Sequence, residues 1–471
     1  MRAGWARTRR TSDGRWTTTG ALRGAPHEGH CMKTVKQAAL WIIYALPPLF
    51  AGLYAGATEI ADGSFTPWRP NMIDWDVYVR TAGRVLAGQD FYSISGDWLP
   101  FIYPPFAALL GVPFALLDKA GGQIVWLILN VLMVMAICYR LRFSGWQLSL
   151  VATASMWLMS PLRVTLGFGQ VNILLMALVV YDLMPGPRVL RRRFLPEGWL
   201  TGIATAIKLT PAIFAVYLFL SGKVRAAIVT FLSFVAATVI GFVVLPGQSM
   251  VFWGRLINGD SGLNTGMKYY TNQSIIGNYV RFTEVNPDKI PFGGLVLAAL
   301  VCVIGVSAAV LWHRNGYAGL AVCITGYTAL LASPISWSHH FVWVLPLTIV
   351  LLVDKGLPEF LRFYGLGYAI WVMYAPFMQF KDGEDEFKYT LGQKLIDAGS
   401  MIFGIGFFLL AIGMAIWVRR RNGLPWLPLT LREREIGAPA AVGVGAGTGS
   451  GGATAVGSPV RDSAEPHHDE K

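Results

Sequence analysis

The chain has 471 residues, 54% of them hydrophobic and 14% charged, with a net charge of +12 and a mean hydropathy of +0.49. This excludes an ordinary soluble globule and implies an all-α polytopic membrane protein, because in lipid a helix satisfies its own backbone. The positive charge does not point to nucleic acid: the basic residues flank apolar runs, where they orient the chain and meet anionic headgroups.

Residues 1–35 are rich in arginine and poor in apolar bulk, and read as a basic, disordered cytoplasmic extension, with Met32 an alternative start. The Ala55–Ala57 run resembles a signal-peptidase site, but the apolar run before it is long for a cleavable leader. A retained first helix over about 37–57 is therefore expected. Four further runs, Gln123–Ala136, Ala226–Leu245, Gly293–Leu311 and Ile402–Val418, have membrane-spanning character.

With a cytoplasmic N-terminus, residues 58–120 lie outside, and their prolines Pro100, Pro104, Pro105 and Pro113 argue for interfacial or partly embedded helices. Segments over 121–139 and 170–184 descend to basic loops, in keeping with positive-inside placement, and 147–161 rises between them. The stretch "GWLTGIATAIKLTPAIFAVYLFLSGKVR" begins and ends in basic loops. It reads as a broken hairpin with Lys208 and Pro211 at an outward tip, the alternative being one kinked span. Segments at 225–246, 293–312, 317–333, 341–353, 358–377 and 397–418 complete about twelve membrane segments. A transmembrane domain over 36–421 and a Gly/Ala-rich disordered tail over 422–471 result.

This threading brings Asp74, Arg163, Lys208, "GQVN", "TNQS" and "SWSHH" to the outer leaflet around an outward-facing cavity. Asp74 and Asp76 would share a face as a metal pair on an extended strand. On a helix they diverge by about 200°, leaving Asp74 at or near an N-cap. Adjacent His339 and His340 also diverge on a helix, which disfavours a joint metal site and suits one of them to donating to a phosphate. Arg163, Lys208 and Lys268 either snorkel or serve an anion, and the mid-segment position of Lys208 favours the anion. Gln170, Asn172, Asn272 and Gln273 suit sugar hydroxyls or helix-to-helix hydrogen bonds. Trp98, Trp253, Trp337 and Tyr103 suit stacking on sugar or lipid, or an interfacial aromatic belt. The four cysteines, Cys31, Cys138, Cys302 and Cys323, show neither disulfide nor zinc spacing.

In order and spacing, "DWDVY", "FIYPPFAALL", "PLRVTLGFGQVNILLM", "KLTPAIFAVYL", "NQSIIG" and "LLASPISWSHHFVWVLPL" resemble the polyprenyl-phosphate-mannose-dependent α-(1→2)-mannosyltransferases of actinobacterial envelopes, within the glycosyltransferase C superfamily. The resemblance covers about residues 35–420. It implies an inverting transfer of mannose from polyprenyl-phosphate mannose to a mannosylated glycolipid, a phosphatidylinositol mannoside or lipomannan, with Asp74 as catalytic base and no cofactor or metal. His339, His340, Arg163 and Lys208 are then candidates for the donor phosphate, and Tyr78, Tyr103, Gln170, Asn172, Asn272, Gln273 and Trp337 for sugar or acceptor. The site is expected on the outer face of the plasma membrane. An arabinofuranosyltransferase and a lipid-linked-sugar flippase remain as alternatives; the lack of a two-half repeat and the one-sided crowding of intramembrane charge speak against a transporter.

Overall fold

The computed structural model describes residues 9–10, 16–17, 28–58, 72–92, 99–189, 193–258, 266–287, 289–380 and 385–425. The disordered extension and tail expected from the sequence fall mostly outside these residues, as does Trp98; residues 28–35 are described and form the start of the first helix. Apart from a two-residue antiparallel pair, Arg9–Arg10 with Trp16–Thr17, the regular structure is helical.

Among the described residues, five helices are long and apolar enough to cross a membrane: α1 (Glu28–Thr58), through its Ala39–Ala57 portion, and α4 (Lys119–Arg140), α10 (Val224–Val244), α13 (Phe292–Arg314) and α18 (Gly399–Arg421). At 1.5 Å per residue, a helix of this length matches a hydrocarbon core of about 30 Å. The others are shorter. Before α4 lie α2 (Ile73–Leu86) and α3 (Pro105–Ala115), and after it α5 (Gly145–Leu158), α6 (Ser160–Phe168), α7 (Asn172–Leu183), α8 (Trp199–Ile207) and α9 (Ile213–Leu220). Between α10 and α18 come α11 (Pro246–Ile257), α12 (Ile275–Thr283), α14 (Ala318–Ala332), α15 (Val344–Val353), α16 (Glu359–Tyr374) and α17 (Leu391–Asp397). The protein is thus a polytopic membrane protein, with five candidate spans among the described residues, or six if α6 and α7, bent by 119°, count as one. The other segments counted in the sequence as crossings are short apolar helices or broken ones.

One end of the bundle is tied by basic side chains to helix C-termini. Arg140 donates to the carbonyls of Met184, Gly186 and Pro187, Arg314 to that of Leu220 at 2.9 Å, and Arg419 to Asn315 Oδ1 at 3.4 Å. The Arg140 and Arg314 donors satisfy backbone carbonyls that have no partner inside their own helix, and Arg419 meets the side chain of Asn315 that ends α13. Asp182, buried at the end of α7, accepts from the Gly198 and Thr201 amides and so caps the start of α8.

The broken hairpin expected between 199 and 225 is present. Glu197, before α8, pairs with Lys223, after α9, at 3.1 Å, so the two ends of the segment lie together at the basic end. Between the two helices the backbone of Lys208 is extended and Thr210–Ala212 forms a 3-10 turn, which puts Lys208 at the tip. A single kinked span would have separated Glu197 from Lys223 by the thickness of the bilayer.

At the opposite end, two features lock the irregular segments. The first is the turn between α6 and α7, where Gly169 ends α6 with φ 68°. A Cβ there would lie 2.5 Å from Trp75 Cβ, and its carbonyl accepts from Trp126 Nε1 at 2.9 Å. Glycine thus supplies both a left-handed conformation and the close approach of the turn to α2. The second is a buried ion pair, Arg281 with Asp397 at 2.5 Å, both at 1% side-chain exposure or less. Arg281 also donates to the Asn272 and Tyr269 carbonyls, and Asp397 accepts from Gln273 Nε2 at 2.9 Å.

Asp397→Asn leaves the Arg281 charge buried and unpaired, and is expected to cost about 3–5 kcal/mol. Fluorescence-detected size exclusion of detergent-solubilised protein after heating will read this, and the double change Arg281→Met with Asp397→Leu is expected to recover part of the loss. Gly169→Ala forces a Cβ into Trp75 at positive φ, and is expected to lower the same apparent melting temperature by the equivalent of at least about 1–2 kcal/mol.

Candidate active site

Asp74 sits in the first turn of α2, after Met72, whose backbone is left-handed (φ 37°). The segment is helical, so the two aspartates part. Asp76 turns to Arg80 at 3.8 Å and Lys119 at 3.5 Å, and the extended metal pair does not form. Asp74 instead faces the interior, where it is hydrogen-bonded by Gln170 and lies in the field of Lys208. Trp75, next to Asp74, packs on Gly122 at the start of α4, so this carboxyl lies at the end of the bundle opposite Arg140. Burial pushes that carboxyl up to about 7, and Lys208 and Gln170 pull in the opposite direction.

Around Asp74 is a polar cage with aromatic walls. Tyr78, one turn along α2, donates to Gln170 Oε1 at 2.8 Å, and its hydroxyl is 3.2 Å from that of Tyr103. Tyr103, just before α3, accepts from Gln170 Nε2 at 3.3 Å and lies beneath the Lys208 ammonium, 5.4 Å from the ring centroid, a cation–π contact. Phe91, Tyr92 and Phe101 back this group as a separate apolar cluster.

Lys208 joins the cage to the histidines. Its Nζ is 3.3 Å from His340 Nε2; because an ammonium has no lone pair, His340 Nε2 accepts and its proton resides on Nδ1. His339 packs edge-on against Phe168 and His340. Its carbonyl accepts from Thr165 at 2.7 Å and Asn172 at 3.2 Å, which holds the Ser338–Trp343 turn to α6 and α7. Its Nε2 is buried without a protein partner among the described residues.

From Lys208, Asn172 and His340 a cleft runs between α7, α9 and α14, walled by Leu175, Met176, Val179, Phe214, Leu330 and Trp343. Phe214 and Trp343 stack at 5.5 Å along it. The site is therefore a carboxyl beside a cation that heads an apolar cleft. This arrangement can take a proton at Asp74, hold an anion at Lys208 and His340, and bury an apolar chain.

The fold brings together Asp74, Tyr78, Tyr103, Gln170, Asn172, Lys208, His339 and His340 of the residues singled out in the sequence. For the others it shows different partners. Arg163 donates to the Trp157 carbonyl at 3.0 Å, back toward α5. Asn272 and Gln273 have no exposed surface. Asn272 binds the Met267 and Pro334 carbonyls and accepts from the Ser274 and Ser336 amides, so its capacity is spent joining two loops. Gln273 bonds Tyr270 and Asp397. Trp337 is half-buried, edge-on to Tyr269 at 6.0 Å. The cleft walls Leu175, Met176, Val179, Phe214, Leu330 and Trp343 were not singled out in the sequence, where they look like any other span residues; the break at "KLTP" was their one signal.

A family model described as glycosyltransferase family 87 matches residues 101–334. A polyprenol-phosphate-mannose-dependent alpha-(1-2)-phosphatidylinositol mannoside mannosyltransferase of Mycobacterium tuberculosis is 33% identical over 346 residues, 66% of this chain and 76% of the relative. One of the same description from Mycolicibacterium smegmatis is 29% identical over 355 residues, again 66% and 76%. A polyprenol-phosphate-mannose-dependent alpha-(1-2)-phosphatidylinositol pentamannoside mannosyltransferase of Mycobacterium tuberculosis is 32% identical over 301 residues, 60% of this chain and 66% of the relative. No solved structure matches the chain significantly. With a relative above 30% identity covered over three quarters of its length, this chain belongs to glycosyltransferase family 87.

Proposed function

We propose that this enzyme transfers mannose from polyprenyl-phosphate mannose to a hydroxyl of a phosphatidylinositol mannoside, forming an α-(1→2) linkage with inversion at the outer face of the plasma membrane. The observation that carries this reading is the Asp74 carboxyl in the field of Lys208, at the head of an apolar cleft. The names of the relatives support the donor and the class of acceptor. Placing the basic end of the bundle inside by the positive-inside tendency puts Asp74 outside. The expected fold is a glycosyltransferase C type bundle, its short helices filling out the segments between the full spans.

Asp74 takes the proton of the acceptor hydroxyl while that oxygen attacks mannose C1. The bond from C1 to the phosphate oxygen breaks, and its electron pair leaves on polyprenyl phosphate. Charge develops on the leaving oxygens in the transition state, where Lys208 and the histidine pair stabilise it. The apolar cleft between α7, α9 and α14 takes the first isoprene units, and the rest of the donor's tail remains in lipid.

Lipomannan as acceptor, an arabinofuranosyl donor and lipid-linked-sugar transport are the competing readings. Purified protein given polyprenyl-phosphate mannose and a panel of phosphatidylinositol mannosides and lipomannan will separate them. A mannosylated phosphatidylinositol mannoside is expected. Product on lipomannan alone would replace the acceptor, and movement of donor across vesicles without a new glycosidic bond would replace the reaction.

Asp74→Asn is expected to lower kcat by about 10²- to 10⁴-fold with donor KM little changed. Because the base acts ionised, kcat/KM in the wild type is expected to rise with pH through about 7, the position of the Asp74 carboxyl, and a profile flat from pH 5 to 9 would remove Asp74 from that role. Lys208→Met is expected to cut kcat/KM for the donor by about 10²-fold, since it deletes a charge that meets the departing phosphate; steady-state rates at varied donor concentration will show it.

A further inference from the structure

We infer that Gln170 is a positioning residue for the Asp74 carboxylate and not a contact for sugar or acceptor, a refinement that rests on the proposed role of Asp74 as base. The amide of Gln170 is assigned by its partners. Oε1 accepts from the Tyr78 hydroxyl at 2.8 Å and from the Val171 amide at 3.1 Å, which fills both lone pairs and turns the NH2 group the other way. That group meets the Tyr103 hydroxyl at 3.3 Å and the Asp74 carboxylate. At 3% exposure, Gln170 has no hydrogen-bonding capacity left for a substrate.

The mounting of Gln170 favours the same role. It follows Gly169, whose turn is pressed onto Trp75 and held by Trp126, and Trp75 directly follows Asp74 in α2. The turn and the carboxyl are thus parts of one rigid contact, and the N–H donor is aimed from a separate segment at the base. A donor so placed fixes the carboxylate rotamer and favours its ionised form. The other titratable groups facing Asp74 are Tyr78 on its own helix, Tyr103 ahead of α3, and Lys208 at the tip of the hairpin, which His340 holds in turn. Of the groups that meet Asp74, Gln170 is a neutral N–H donor with no proton to exchange, so it aligns the carboxylate without competing for the proton that Asp74 must accept.

Gln170→Glu separates positioning from scaffolding. It keeps oxygens for Tyr78 and Val171 and removes the donor to Asp74. In purified protein reconstituted in nanodiscs with polyprenyl-phosphate mannose and a phosphatidylinositol mannoside, kcat is expected to fall about 10- to 100-fold while donor KM stays within about twofold. The acid limb of the rate profile is expected to move up by about one pH unit or more, because a second carboxylate disfavours ionisation of the first. A wild-type profile in Gln170→Glu, or a loss confined to KM, would overturn the assignment. If that variant does not yield folded protein, Tyr78→Phe takes its place: it frees the amide to turn, and the acid limb is again expected to shift upward with KM retained, while an unshifted limb counts against the inference. If the wild type transfers mannose and loses this with Asp74→Asn, an unaffected Gln170→Glu sinks only the positioning role; absence of transfer by the wild type removes the reading beneath it.

Discussion

The structure depends on the requirement that no backbone polar group be left unpaired inside lipid. Three segments break their helices at one end of the bundle: the turn at Gly169, the hairpin tip at Lys208–Ala212 and the connector ahead of Ser338–Trp343. Each break frees amides and carbonyls, and side chains from other segments meet several of them. Thr165 and Asn172 reach the His339 carbonyl, Trp126 reaches Gly169, and Asn272 closes the loop before Ser336. Polar side chains accompany such breaks because they satisfy the backbone there, and the same side chains make a site.

Charge follows the same logic. An isolated Lys208 between apolar helices would be expensive. Here it is shared among the Tyr103 ring, His340 and the field of Asp74. Within that partnership the carboxyl rests near the pH at which it can take a proton, and the cation keeps a face toward the cleft. The Arg281–Asp397 pair is the contrasting case. It is sealed at 1% exposure or less and spent on backbone carbonyls and Gln273, so it serves to hold the 266–278 segment against α17.

Much of this was legible in the chain. The five long apolar runs, the basic loops between them and the helix start near Asp74 follow from residue pattern, and the hairpin at "KLTP" from a lysine and a proline where neither belongs in a span. The reading of Asp74 as catalytic base came from the ordered blocks that resemble a family, not from pattern. Less legible was which amides face substrate. Asn272 and Gln273 look as suited to sugar as Gln170 and Asn172 do, but the partners that complete their bonding include Pro334 and Asp397, 62 and 124 residues away in sequence, and no local spacing encodes such a pairing. The crossing count was also blurred, because a short helix that ends at a buried break and one that spans have the same composition.

What the residue order settled is the medium, the class of element and the identity of the chemically capable groups, since hydropathy, helix signals and ionisable side chains are local properties. What the three-dimensional packing settled is which of those groups meet. Asp74 and Asp76 are two residues apart and diverge, while Asp74, Gln170 and Lys208 come together from three separate segments. The reason is geometric: helix periodicity separates near neighbours, and contacts between remote helices depend on packing and on the pairing of broken backbone, which no short stretch of sequence contains.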